Sequence, residues 1–238
     1  FDYENRKAYV KKSNSDYFTD AVTHTKISVL DIFDETGKDS YNFYYGDVHV
    51  FSQVVGFKKL KFFTSENVGA GNLQLPQQEM HSTAFWMNIK SELLNRVTIS
   101  PEEKIEAISG IAFLMRQIGA VILMCDVKDL GVAIEDNLTK SEINVTGRQK
   151  LAALQESSLL NNFEPNIYIY DSYPNGIGFS EVLYEKGEEV LEKTLEVIDH
   201  CNCERGCPSC VGPPIRPRDN RKDAARFIIK LLLGKVYH

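Results

Sequence analysis

Four cysteines, Cys201, Cys203, Cys207 and Cys210, fall within the segment HCNCERGCPSC at residues 200–210. Thiolates spaced C-x-C-x3-C-x2-C can form disulfides, carry an iron–sulfur cluster or close around one metal ion. Reducing conditions and the short loops between neighbouring cysteines disfavour disulfides. Zn²⁺ fits well, because it takes four soft ligands at tetrahedral corners and needs no redox partner. Pro208 stiffens the two-residue turn that lets Cys207 and Cys210 converge, and Gly206 and Gly212 permit the flanking backbone turns. An iron–sulfur cluster takes the same four ligands and remains the rival, although such close spacing favours a single ion. With four protein ligands no coordination position is open, so the ion is structural. It staples the helix before the box to the loop that leads into the last helix. Arg205 is placed to offset part of the thiolate charge.

Other residues capable of chemistry have simpler roles. His200 adjoins the box and could replace a cysteine, but a histidine at a helix C-terminus is already favoured by the dipole. Cys125, in the apolar run ILMC, reads as a small core residue on a buried strand. Asp126, Asp129 and Asp171 lie at strand ends, where a Mg²⁺-dependent nuclease would place acids. No motif sets that geometry, and capping or turn chemistry accounts for acids there.

The elements that must position these groups can be read from periodicity. From Lys7 to about Phe63, β-branched and aromatic residues alternate or run apolar over strand lengths, as in KISVLDIF and GDVHVFSQVV, with the turn-like DETGKDS between. This predicts a small antiparallel β-module, barrel-like, over residues 1–75. SENVGAGNLQLP then marks a linker or long loop. A mixed α/β domain carrying the four-cysteine zinc site is expected over 76–238, giving an α+β chain. Its first long helix starts with Ser100 as N-cap, Pro101 at the first helical position and Glu103 completing a capping box. Ile105, Ile108, Ala112 and Met115 form its inner face. VILMCD and NIYIYD read as short strands. A helix capped by Ser180 follows, with Leu183, Val190, Leu191, Leu195 and Ile198 in register, and runs into the cysteines. The last helix is expected from near Asn220, burying Ala224, Phe227, Ile228 and Leu231 and stopping at Gly234.

The chain has 238 residues, a net charge of −6 and 43% apolar residues, an ordinary globular composition. The charge argues against a surface that binds nucleic acid everywhere but allows local basic stripes. Three places could meet a phosphate. GFKKLKFF sets Lys58, Lys59 and Lys61 among phenylalanines, a pattern suited to a single strand or to an ordinary edge strand. IRPRDNRK gathers Arg216, Arg218, Arg221 and Lys222 beyond the cysteines and is the preferred DNA-facing patch. YPNGIGFS joins a strand to a helix start and is read as a tight packing turn before a phosphate loop. No run approaches the roughly 20 apolar residues of a membrane span, and no signal peptide precedes the fold, so a cytoplasmic protein without membrane partners is expected. Opening on Phe1 in an already structured segment, the chain reads as part of a longer protein.

YDSYPNGIGFSEVLYEKGEE followed by CNCERGCPSCVG, with LMCDVKDLG upstream, resembles the C-terminal zinc-binding domain of mitomycin-repair DNA helicases of the MrfA type and their fungal RecQ-four-like relatives. RKAYVKKSNSDYFTDA and LPQQEMHSTAFW are similar to the β-module that precedes that domain. The resemblance implies the four cysteines as zinc ligands. It further implies an ATP-dependent superfamily-two helicase in DNA repair, moving 3′ to 5′ on single-stranded or forked DNA. ATP and Mg²⁺ would bind in a helicase core elsewhere on the same polypeptide, since this stretch has no phosphate-binding loop. A docking module for another repair protein is the alternative. The family shows two glycines where this chain has Asn175 and Gly176; Asn tolerates positive φ, so the turn is expected to survive.

Overall fold

The structure, a computed structural model, describes residues 2, 4–64, 66–136, 163–213 and 220–235. Two strands of 21 residues, β1 (Tyr17–Gly37) and β2 (Tyr41–Lys61), are followed by β3 (Asn67–Asn72) and β4 (Gln78–Ile89). Then come α1 (Ser91–Asn95), α2 (Pro101–Leu123), a short 3-10 turn, β5 (Leu130–Asp136) and β6 (Pro165–Asp171). The chain continues through α3 (Phe179–Glu185), α4 (Gly187–His200) and α5 (Arg221–Leu232).

Two compact units alternate along the sequence: Phe1–Thr25 with Ser52–Gln78, and Lys26–Phe51 with Glu79–His238. Because β1 and β2 are far longer than an ordinary strand of five or six residues, each supplies both units. The units therefore do not follow one another as 1–75 and 76–238.

In the larger unit the strand order is β1-β2-β4-β6-β5, with β6 antiparallel to both neighbours. Alternation sorts its residues onto two faces. Phe85, Met87, Ile89, Ile167 and Ile169 point into the main core with α2, α4 and α5. Ala84, Trp86 and Tyr168 point the other way, into a second core with Ile27, Val48, Val50 and Ala133. The end strands β1 and β5 meet across that second core, where Ile27 N donates to Glu135 Oε1 at 2.5 Å. The sheet's helix-covered face belongs to the same unit.

α2 has the expected capping box: Ser100 Oγ accepts from Glu103 N at 3.2 Å, and Glu103 Oε2 accepts from Ser100 N at 2.9 Å. The expected strand VILMCD is absent. Val121–Leu123 continue α2, which ends at Met124 in a left-handed cap with φ 55°. A short apolar run has no period of its own and fits either state. The 23-residue helix also corrects the expectation of no membrane-length segment, since its most apolar stretch has a mean hydropathy of 1.5. Its surroundings are a folded core: it packs on α5, α4 and β5. Arg116 Nε and an η nitrogen donate to the Leu130 and Val127 carbonyls, both at 2.7 Å.

The helix expected to run from Ser180 into the cysteines is two helices. α3 has Gly178 as N-cap, with Ser180 inside its first turn, and the break comes at Lys186. At Gly187 a Cβ would sit 2.7 Å from the Phe43 ring, so the chain bends where it crosses the sheet closely. α5 turns a different face inward than expected. Arg221, Lys222, Ala225, Ile228, Ile229 and Leu232 are buried, whereas Ala224 and Leu231 are half-buried and Phe227 is 40% exposed. Gly234 takes φ 64° beyond the helix end, as anticipated.

Candidate metal centre and basic surfaces

The cysteine box leaves the C-terminus of α4 at Cys201 and folds back on itself. Cys210 N and Val211 N both donate to the Cys207 carbonyl at 3.1 Å, forming the turn that Pro208 begins. Gly206 has φ 122°, a conformation closed to other residues, and a Cβ there would lie 2.5 Å from Val211 Cγ2. Val211 is buried against α2 at Gly110, where a Cβ would lie 3.1 Å from Val211 Cβ. The knuckle is therefore seated on the longest helix of the core.

All four cysteines are free thiols, and their sulfurs converge. Cys201 Sγ is 3.4 Å from Cys203 Sγ and 3.6 Å from Cys207 Sγ; Cys210 Sγ is 3.5 Å from Cys203 Sγ and 3.6 Å from Cys207 Sγ. A tetrahedron with Zn–S bonds of about 2.3 Å has sulfur–sulfur edges of about 3.8 Å. The four sulfurs all lie within 4.8 Å of one another and form the one group of three or more metal-capable side chains among the described residues. An iron–sulfur cluster spreads its cysteines over several irons and needs a wider cage. The arrangement is compatible with a single zinc ion. The thiols are unequal: burial pushes Cys210 up to about 12 and raises Cys203. Burial also acts to raise Cys207, but the Ser209 backbone N–H and the neighbouring thiols outweigh it and bring it to about 7. An ion would draw all four into the thiolate form and release their protons.

A feature the sequence reading missed holds this knuckle from outside. Lys222, 6% exposed in the first turn of α5, donates from Nζ to the carbonyls of Cys201 at 2.5 Å and Cys203 at 2.6 Å. Its backbone N donates to the Arg205 carbonyl at 3.2 Å. Arg221, 5% exposed, donates to the carbonyls of Gly212 at 3.2 Å and Pro213 at 2.6 Å. Both had been placed on a phosphate-facing patch. They are instead buried donors to the cysteine loop, because backbone carbonyls turned outward from a metal knuckle need partners. Four thiolates around a divalent cation leave two negative charges, which a buried ammonium offsets; Arg205, expected in that role, is exposed. A lysine and an arginine just inside the first turn after a cysteine box were the available signal. Arg216 and Arg218 lie outside the described residues.

The remaining candidates separate cleanly. Lys58 is exposed, Lys59 Nζ lies 5.0 Å from the Tyr17 ring centroid, and Lys61 pairs with Glu66 at 2.9 Å. His200 Nδ1 sits 2.8 Å from the Glu196 carbonyl. Cys125 follows the α2 cap in a loop rather than a strand, and burial raises its thiol. Asp171 is fully buried. Its Oδ2 accepts from Ile177 N at 2.7 Å and Phe179 N at 3.2 Å, and its Oδ1 from Ser180 N at 3.0 Å and Ser180 Oγ at 2.5 Å. The loop N–H groups that could have met a phosphate are thus taken by an internal carboxylate. Asn175 and Gly176, at φ 65° and 69°, make the turn that permits this. Asp126 caps the 3-10 turn through Lys128 N, and Asp129 accepts from the Tyr173 hydroxyl at 2.6 Å. These acids are structural.

An α+β unit whose longest helix carries a four-thiol knuckle is the class to which the MrfA Zn-binding domain belongs, and that family model matches residues 111–211. Residues 111–211, which include the four cysteines, thus match the MrfA-type zinc-binding domains. The chain is 32% identical over 216 residues to the uncharacterized ATP-dependent helicase YprA of Bacillus subtilis, covering 90% of this chain and 25% of that protein. It is also similar to a solved structure of the DUF1998 helicase MrfA bound to DNA, with a TM-score of 0.61 and 29% identity over 97% of this chain and 28% of that one. A 45-residue stretch is 49% identical to an uncharacterized protein of Methanocaldococcus jannaschii, spanning 19% of this chain and 40% of that protein. The chain spans about a quarter of the helicases it matches.

Proposed function

We propose that this chain is the accessory zinc-binding domain of an ATP-dependent superfamily-two DNA repair helicase, which shapes the path of the DNA and contributes backbone contacts. Cys201, Cys203, Cys207 and Cys210 are the zinc ligands and the ion is structural. ATP and Mg²⁺ act in a helicase core on the same polypeptide, translocation runs 3′ to 5′, the DNA is single-stranded or forked, and the setting is cytoplasmic. Of the basic residues, Lys58, Lys59 and Lys61 on β2 carry the phosphate contacts, with Arg216 and Arg218 as further candidates.

The observation that carries this reading is the convergence of four free thiols at single-ion spacing, on a chain similar to about a quarter of a helicase solved bound to DNA. The docking alternative gains little: Phe227 is exposed, but Leu231 beside it packs against the core, so α5 offers no contiguous apolar patch. Elemental analysis of the 238-residue chain should give one zinc per molecule and ATPase assays no turnover. Single-stranded DNA should bind with an affinity that falls steeply between low and physiological salt. A chain free of metal as purified, or one indifferent to DNA at low salt, would overturn the reading.

A further inference from the structure

The smaller unit has a feature that phosphate contacts do not account for. β2 and β3 form a hairpin paired from Gly56↔Asn72 to Leu60↔Asn67, with a register shift between Lys59 and Leu60. At its turn, Phe63 is a non-glycine residue at φ 68°, with its ring fully exposed. A bulky side chain in that region is rare and strained. The ring has company: Phe62 lies 6.4 Å from it and 5.5 Å from Phe18, centroid to centroid, and both of these are more than two-fifths exposed. Phe62 N donates to the Asp16 carbonyl at 3.0 Å, which ties the turn to the start of β1. Three neighbouring exposed phenylalanines are not the scattered apolar residues of an ordinary surface.

Lysines of β2 precede the Phe62 and Phe63 rings. Lys58 is exposed, and Lys59 is held against Tyr17. This unit has seven Lys and Arg against five Asp and Glu, within a chain whose net charge is −6. Flat apolar faces and cations on one basic unit match one class of partner: a strand whose bases are unpaired, so that their faces can stack while its phosphates meet the lysines. A duplex keeps its base faces covered and offers the phosphates alone.

We propose that the β2–β3 turn is a base-stacking contact for single-stranded nucleic acid, with the Phe63 ring meeting a base, Phe62 and Phe18 supporting it, and Lys58 and Lys59 holding the adjacent phosphates. The proposal rests on the DNA-directed reading above and adds to it the residue that selects unpaired strands.

The test uses the whole chain and a fluorescein-labelled dT oligonucleotide in low salt. Stacking contributes about 1–3 kcal/mol per base, so Phe63→Ala should weaken binding roughly tenfold and leave the salt slope unchanged, whereas Lys58→Glu should lower both affinity and slope. An unchanged thermal midpoint checks folding. Phe63→Trp should retain affinity and lose tryptophan fluorescence on adding dT, against the buried signal of Trp86. If the parent chain binds with a steep salt slope and Phe63→Ala binds equally well, the stacking contact is wrong and the DNA reading stands. If the parent chain ignores oligonucleotides at low salt, both fall. Affinity confined to anionic phosphatidylserine vesicles would instead assign the rings to a lipid surface.

Discussion

The two units use cations in opposite ways. Around the cysteine knuckle, Lys222 and Arg221 are buried and directed at backbone carbonyls, so their charge serves the chain itself. On the β2–β3 hairpin, Lys58 stands in solvent and Lys59 lies over a tyrosine, so their charge remains available to a ligand. Composition cannot separate these two kinds of lysine. What separates them is the neighbouring backbone: a metal knuckle turns carbonyls outward and leaves them wanting donors, whereas a paired hairpin satisfies its own.

The sharpest break between the units should come from Cys207→Ser. Structural zinc sites supply on the order of 10 kcal/mol or more of apparent folding free energy at neutral pH. The variant should lose its zinc, and hydrogen exchange should rise sharply at the end of α4 and the start of α5. The β2–β3 hairpin should keep the parent's protection. If the hairpin opened as well, the contrast between a metal-held unit and a self-sufficient one would fail.

A smaller effect is expected from Lys222→Met, which keeps most of the apolar stem but removes the ammonium. Two carbonyls lose a charged donor, and the thiolate charge loses its offset. Groups that orient metal ligands typically contribute 10–100-fold in affinity, so competition with a chromophoric chelator should show zinc held roughly that much less tightly. Single-stranded DNA binding at saturating zinc should stay at the parent value. A loss of DNA affinity with zinc retention intact would return Lys222 to the phosphate-facing role that the sequence suggested.

That role was a reasonable inference from the residues, and its failure shows which parts of the site were legible. The four cysteines could be read because spacing alone determines whether sulfurs converge. The α2 capping box could be read because each of its hydrogen bonds lies within three residues. Asp171, Lys222 and the split between α3 and α4 could not, because their partners come from tertiary packing. Asp171 binds a loop six to nine residues on, Lys222 reaches back 21 residues, and the helix breaks where Gly187 meets Phe43 of a distant strand. The interleaved units were hidden for a related reason: nothing in the pattern of one long strand says where it passes from one unit to the other.

Asp171→Asn follows in size. An amide keeps one acceptor oxygen but puts a donor where Ile177 N and Phe179 N now point, or faces Ser180 with it if flipped. With one buried charged acceptor lost, stability should fall by about 1–3 kcal/mol, read as a lower urea midpoint at unchanged slope. Zinc content should not change, because this carboxylate serves the α3 entry loop and not the knuckle.

The smallest expected effect is at Phe227 on α5, which the sequence placed on the inner face together with its neighbour Ile228 and which the fold separates from it. Ile228 is fully buried and Phe227 is 40% exposed. Ile228→Ala should cost about 2–5 kcal/mol through lost burial and the cavity left behind, while Phe227→Ala should stay within about 0.5 kcal/mol, as surface changes usually do. The difference traces to the first turn: turning Arg221 and Lys222 inward, towards the cysteine loop, fixes the helix rotation, and a step of about 100° per residue then carries Phe227 out of the core. Equal losses at the two positions would mean that the helix is not held by its basic first turn, and would remove the contrast between buried and available cations from which these expectations follow.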